Sequence, residues 1–111
     1  MTSIIQVAED QLAWADYVER GSAGEPSGVR FKTLTARDTD APPMQYVEYA
    51  PGHSDSVHHH DTGEVFVVTQ GSFELGDTVS GAGAVVYVPR DTDYALVAGP
   101  EGVRFFRIVV P

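Results

Sequence analysis

The stretch that decides the fold runs from residue 52 to residue 71 and reads GHSDSVHHHDTGEVFVVTQG. It contains all four histidines of the chain, and the apolar run in its second half predicts a β-strand. His58 and His60 are two residues apart, so on an extended strand their side chains point to the same face. The short, turn-like link at residues 61–63 allows Glu64, at the start of the next strand, to return to that face.

Two imidazoles and a carboxylate on one wall are a suitable ligand set for a divalent transition metal. Three protein ligands also leave coordination positions open for water, substrate or dioxygen, as catalytic sites require. We therefore predict a metal site formed by His58, His60 and Glu64. The competing interpretation is a polar strand end and loop without a ligand role.

The same stretch resembles the first motif of the cupin family, which has the form G-x5-H-x-H-x3-E-x6-G. All five of its fixed positions are matched, by Gly52, His58, His60, Glu64 and Gly71. With ordinary residue frequencies, the chance of this match at a given start is on the order of 1 in 10 million. The resemblance implies an all-β fold, a small single-domain jelly-roll barrel spanning residues 1–111, with the metal-motif core in residues 52–98.

The family's second motif, G-x5-P-x-G-x2-H-x3-N, is met only in part. Gly83 and Pro89 agree with it, whereas Asp91, Tyr94 and Ala98 stand where the family has Gly, His and Asn. Three roles stay open for Tyr94: a metal ligand, a hydrogen-bond donor to a bound substrate, or an aromatic packed inside the barrel. Without Tyr94 as a ligand, a two-histidine, one-carboxylate set remains. Such a set favours ferrous iron, with zinc, nickel, copper and manganese as alternatives.

Two further histidines flank the predicted ligands. His59 lies between them on the strand, so it is expected to face the other way, at the surface or in outer packing. His53 lies in the approach loop, where a solvent position is expected and a substitute fourth ligand is the alternative.

The sequence does not decide which side chains of the strands on either side of the motif line the cavity. Along residues 44–50, either Gln45, Val47 and Tyr49 or Tyr46 and Glu48 face inward, because both alternating sets are apolar and aromatic. Arg104 and Arg107, on the last strand, are expected at the surface. An arginine that faces inward would instead indicate a carboxylate substrate.

The bulk properties restrict the partners. The chain has 111 residues, a net charge of −9 and no cysteine, and its pI is about 4.6. This length indicates one domain, and the acidic charge argues against nucleic acid and anionic membranes as partners. The absence of cysteine excludes disulfides and thiolate sites. The first residues have neither a basic region nor a long apolar segment, so no signal peptide or membrane span is predicted and a cytoplasmic location is expected.

Short apolar runs between turn signals predict about nine strands, the pattern of an all-β barrel. Besides the histidine-rich segment, strands are expected at residues 3–7, 29–34, 44–50, 65–68, 72–75, 84–88, 94–98 and 103–110, with turns at residues 70–71 and 99–102. Residues 8–20 are expected to contain one or two helical turns or to place Trp14 at the barrel end, and residues 21–28 to form a loop. Trp14 followed by Gly-Val-Arg-Phe-Lys is similar to cupins of the anti-sigma-factor and dihydroxyacetophenone dioxygenase type.

The resemblance implies metal-dependent chemistry on a small organic molecule, and three functions stay open. The favoured one is an oxygenase that binds a chelating substrate and dioxygen at the metal, with Tyr94 orienting the substrate. The second is a non-redox isomerase, cyclase, dehydratase, decarboxylase or lyase, with the metal as Lewis acid and Tyr94 or water as acid or base. The third is a small-molecule binding or sensor domain. Because cupin barrels commonly pair and strand edges need covering, we expect a homodimer.

Overall fold

A computed structural model describes residues 3–18, 24 and 27–111 of the chain. Its elements are a short 3₁₀ turn at Glu9–Gln11 and seven strands: β1 (Ala15–Asp16), β2 (Val29–Thr35), β3 (Met44–Tyr49), β4 (Gly63–Leu75), β5 (Thr78–Gly81), β6 (Val85–Val88) and β7 (Leu96–Val110). The all-β prediction is confirmed. Most of the loop expected at residues 21–28 lies outside the described residues.

All strands belong to one antiparallel sheet in the order β1-β2-β3-β7-β4-β5, and β6 pairs with β4. The long strands β4 and β7 form the spine of this sheet and pair from Gly63↔Val110 to Leu75↔Leu96. The register of this pairing shifts between Val68 and Gln70 and again between Gly71 and Phe73, and bulges of this kind bend a strand. The bending closes the sheet around a single core, as expected of a jelly-roll barrel.

Aromatic side chains on the inner face of the sheet form the core. Phe66, Phe73 and Phe105 are at most 1% exposed, and Leu96 and Val68 are buried with them. The ring centroids of Phe66 and Phe105 are 5.1 Å apart in an edge-to-face arrangement, which is favourable for aromatic pairs. This core fixes β4 against β7, and both strands carry side chains of the candidate site.

The last glycine of the first motif allows β4 to bend without breaking. Gly71 has φ +71°, and a Cβ atom there would lie 2.1 Å from the carbonyl oxygen of Gly102. Only glycine fits this position without displacing the backbone of the facing strand. The expected turn at residues 70–71 is therefore wrong, because a bulge continues the strand.

Several other strand predictions need correction. Residues 3–7 form no strand, and the turn expected at residues 99–102 lies inside the continuous β7. The histidine-rich segment forms two isolated bridges, from Ser54 to Val97 and from His58 to Tyr94, rather than a regular strand. The described residues consequently contain seven strands instead of about nine. No helix among them is long and apolar enough to cross a membrane.

The N-terminal segment packs across the outer face of the sheet. Trp14 stacks on Tyr46 with ring centroids 5.5 Å apart, and the charged ends of Arg30, Lys32 and Arg104 lie 4.6–5.3 Å from its ring centre. The ammonium group of Lys32 also donates to Glu9 Oε2 at 2.8 Å. Trp14 therefore covers the outside of the sheet, and its expected place at the barrel end is wrong.

Candidate metal and substrate site

A cavity of about 610 Å³ opens on the inner face of the sheet. Its walls come from β2, β3, β4, β7 and the loop at residues 53–60. The lining combines aromatic and aliphatic side chains with several polar and charged ones, as small-molecule sites do. Those polar groups include His58, His60, Tyr94 and Arg107.

His58 and Tyr94 are held side by side by their backbones. The amide of each donates to the carbonyl of the other, at 3.0 and 2.9 Å, and their ring centroids are 4.5 Å apart. The Nδ1 atom of His58 lies 2.7 Å from the carbonyl oxygen of Ser56. Because a carbonyl can only accept, Nδ1 carries the proton and Nε2 keeps a free lone pair. His58 thus has the outer partner and the tautomer that a metal-binding imidazole requires.

His60 stands next to His58, with ring centroids 5.1 Å apart. Its Nε2 atom lies 3.6 Å from Glu64 Oε1, and its backbone carbonyl accepts the amide of Asp91 at 2.8 Å. Asp91 adopts φ +56°, so it takes the left-handed conformation for which the second motif has glycine. Burial lowers the pKa of His60 below its usual value, which keeps this imidazole neutral and able to act as a ligand.

The Glu64 carboxylate lies beneath the two histidines and is only 1% exposed. Its Oε1 accepts the Tyr94 hydroxyl at 2.6 Å, and its Oε2 accepts Nε of Arg107. Burial, together with the hydrogen bond to Glu64, raises the pKa of Tyr94 far above its usual value. The Tyr94 phenol is therefore protonated and acts as a donor.

Arg107 faces the cavity, so its expected surface position is wrong. Besides its bond to Glu64, its NH1 group donates to Gln45 Oε1 at 3.2 Å. Arg104, on the opposite face of β7, behaves as expected. Its Nε donates at 2.8 Å to Glu48, which also accepts Arg30, outside the cavity. The two arginines therefore belong to separate charge networks on the two faces of one strand.

A second polar pair lines the same cavity, and the sequence did not single it out. The Tyr49 hydroxyl donates to Asp55 Oδ2 at 2.7 Å, and the other Asp55 oxygen lies 3.7 Å from Nε2 of His53. Burial and the Asp55 charge raise the pKa of Tyr49 well above its usual value. The only signal for this pair was its position: Asp55 lies within the motif stretch and Tyr49 at the end of β3.

The structure resolves the two open alternatives on the flanking residues. Gln45 and Tyr49 line the cavity together with Val47, whereas Tyr46 and Glu48 point to the outer face. His59 is 60% exposed and bonds Asp93 at 3.1 Å at the cavity rim, as expected for a residue between two inward histidines. His53 lines the cavity beside Asp55 and is only 19% exposed, so its expected solvent position is wrong; within the part of the chain that the structure describes, it makes no hydrogen bond or ion pair to the predicted ligands.

The predicted ligands fit a divalent transition metal by their chemistry. Two imidazoles stand beside a carboxylate, and each carboxylate oxygen has two lone pairs, so Oε1 of Glu64 can bind a cation and still accept from Tyr94. As they are placed, no three His, Asp or Glu side chains among the described residues are arranged to hold an ion. Both oxygens of Glu64 are directed toward Arg107 and Tyr94 instead. The ligand set stays a prediction.

Comparison with known proteins establishes the family. The sequence profile of the ChrR Cupin-like domain matches residues 4–108, nearly the whole chain. The chain therefore belongs to the cupin family of this type. ChrR of Rhodobacter sphaeroides is named as an anti-sigma factor in a solved complex, so the match agrees with the anti-sigma-factor part of the likeness that the segment around Trp14 indicated.

One relative and two solved structures are informative. Dimethylsulfoniopropionate lyase DddW of Ruegeria pomeroyi is 37% identical over 87 residues, which are 69% of this chain and 55% of DddW. The chain thus spans about half the length of this curated relative. An RmlC-like cupin from Shewanella frigidimarina superposes with a TM-score of 0.77 at 19% identity, covering 99% of this chain and 92% of that one. The polyketide cyclase RemF from Streptomyces resistomycificus gives 0.79 at 20% identity, with coverages of 96% and 79%. These two structures confirm the cupin-type jelly-roll fold.

Proposed function

We propose that the chain is a metal-dependent cupin enzyme of the non-redox class, a lyase that eliminates a leaving group from a small carboxylate. One observation carries the proposal. A protonated Tyr94 phenol, 2.6 Å from a buried carboxylate, stands beside two imidazoles in an aromatic-walled cavity. This arrangement supplies a proton donor where negative charge would develop. The 37% identity to a protein named as a dimethylsulfoniopropionate lyase supports the same class of reaction.

The proposed reaction is a proton transfer followed by loss of the leaving group. A divalent metal held by His58, His60 and Glu64 would act as a Lewis acid on the substrate's carboxylate. With Glu64 bound to the metal, the Tyr94 hydroxyl would turn from Glu64 and donate its single proton in a hydrogen bond to the carboxylate oxygen on which charge accumulates. Asp55, in the same cavity, takes the proton from the carbon next to the carboxylate. The released electron pair forms the carbon–carbon double bond, and the bond to the leaving group breaks, so the leaving group departs with its electrons.

Asp55 is suited to the role of proton acceptor by its surroundings. One of its oxygens accepts the Tyr49 hydroxyl, and the other makes no hydrogen bond within the described residues and has only His53 at 3.7 Å. Its charge contributes to the raised pKa of Tyr94, so the donor and the acceptor lie in one electrostatic site.

The proposed function is tested with the metal-loaded protein and dimethylsulfoniopropionate, followed by proton NMR of the unsaturated carboxylate, with and without oxygen. We expect equal rates in both atmospheres, and a rate lowered about 100-fold in Tyr94→Phe. Tyr87→Phe, a change on the outer face, should leave the rate unaltered, because Tyr87 is 61% exposed. The absence of turnover on this and other β-substituted propionates would refute the lyase proposal.

An oxygenase is the second candidate, because two histidines and one carboxylate are also the ligand set of non-haem iron oxygenases. Product formation that depends on oxygen, with stoichiometric oxygen uptake, would favour it over the lyase. Retention of a ligand without any turnover would instead favour a binding or sensor domain. The homodimer and the cytoplasmic location stay predictions.

A further inference from the structure

The residue that neutralises Glu64 in this structure is Arg107. Its guanidinium contacts one carboxylate oxygen through Nε and the Gln45 side chain through NH1, and its side chain is 19% exposed toward the cavity. Glu64 is 1% exposed, so the pair is an ion pair largely removed from water. A buried carboxylate without such a partner would be strongly destabilised.

The ion pair has a direct consequence for metal binding. Oε2 of Glu64 already accepts Nε of Arg107, so a cation bound by this carboxylate would compete with Arg107 for its negative charge, and a guanidinium held beside the ligands repels any cation placed there. When Glu64 turns to a cation, Arg107 in turn loses its counter-charge inside the cavity. A guanidinium deprived of its anion in this environment needs another one.

We propose that Arg107 alternates between two anions: Glu64 in the metal-free protein, and the carboxylate of a bound substrate when Glu64 ligates a metal. Arginine suits the second role because its planar fork matches the geometry of a carboxylate. The inference rests on the proposed function for the kind of substrate. It assigns the residue that recognises the carboxylate and couples its binding to that of the metal.

This arrangement makes metal and carboxylate binding mutually reinforcing. A carboxylate that occupies Arg107 frees Glu64 for the metal, and by thermodynamic linkage the metal raises the affinity for the carboxylate by the same factor. Arg104 provides the matched control. It lies three residues away on the same strand and is also paired with a glutamate, Glu48, but on the outer face.

The test measures Zn²⁺ affinity by competition with a chromophoric chelator, with and without propionate as the probe, in the 111-residue chain. In the wild type, we expect propionate to raise the Zn²⁺ affinity on the order of 10-fold. In Arg107→Gln, Zn²⁺ should bind on the order of 10-fold more tightly without propionate, and propionate should have no further effect. Arg104→Gln should behave as the wild type does, and Arg107→Lys, which keeps the charge, should bind Zn²⁺ as weakly as the wild type.

Two results would overturn the proposal: an Arg107→Gln protein that binds Zn²⁺ no more tightly than the wild type, or a propionate effect that persists undiminished in that variant. If Arg107→Gln does not fold, NMR of the Arg107 Nε–H group in the wild type decides. Its protection from exchange should fall when Zn²⁺ is added and recover with propionate; unchanged protection throughout would refute the proposal. None of these readouts requires turnover, so failure of the lyase assay and failure of this coupling are distinguishable.

Discussion

Replacing Tyr94 by phenylalanine tests how much the hydrogen bond from Tyr94 to Glu64 contributes to the free energy of unfolding. The change removes one hydroxyl, which donates at 2.6 Å to Glu64, and leaves a ring of the same shape in a position that is 8% exposed. A hydrogen bond to a charged group contributes about 1.5–3 kcal/mol. We therefore expect Tyr94→Phe to lower the free energy of unfolding by about 2 kcal/mol, roughly a 30-fold change in the folding equilibrium.

Tyr46→Phe is the matched control for this measurement. Tyr46 is 6% exposed, and its hydroxyl bonds the neutral Thr69 hydroxyl at 2.7 Å, so its loss should cost only about 1 kcal/mol. Urea unfolding followed by far-ultraviolet circular dichroism at neutral pH, in metal-free protein, gives both values. Equal slopes of free energy against urea would show that the denatured states are comparable. A Tyr94→Phe protein as stable as, or more stable than, Tyr46→Phe would refute the argument that the phenol supports a buried charge.

Three further predictions concern the backbone and the pH response. Gly71→Ala should lower the free energy of unfolding by about 3 kcal/mol or more in the same urea experiment, because the new Cβ would lie 2.1 Å from the carbonyl oxygen of Gly102. Gly52→Ala is the control: its φ is also positive, +72°, but the space around it is open, so it should cost only about 1 kcal/mol. Asp91→Gly should raise the melting temperature slightly, since it removes about 1 kcal/mol of left-handed strain; a lower melting temperature would contradict this. Burial lowers the pKa of His60, so below a pH of about 6.5 the unfolded chain binds more protons than the native one. The free energy of unfolding of the metal-free protein should therefore fall as the pH is lowered through this range. His60→Gln should show a smaller fall across the same pH series.

The parts of the fold that could be predicted from sequence are those with clear local signals. β2, β3 and β6 follow runs of alternating or continuous apolar residues, and the first motif indicates which histidines point inward. The lengths of β4 and β7 could not be predicted, because a glycine in the middle of a strand is equally compatible with a turn and with a bulge. The decision depends on the facing strand: Gly71 packs directly against the backbone at Gly102.

The inward orientation of the Arg107 side chain could not be predicted from the sequence for a related reason. It shares its face of β7 with Val103 and Phe105, which are buried, but Phe106 and Ile108 on the other face are apolar as well. The outer face is apolar because the N-terminal segment covers part of it, a long-range contact that no local pattern reveals. β3 was ambiguous between its two faces for the same reason.

The metal content of the purified protein shows whether His58, His60 and Glu64 form a metal site. Elemental analysis after reconstitution should give about one divalent metal per chain in the wild type, and His58→Ala and His60→Ala should each lose it. His59→Ala, at the neighbouring exposed position, should retain the metal. No metal in the wild type after reconstitution, or undiminished metal in both histidine variants, would contradict the account.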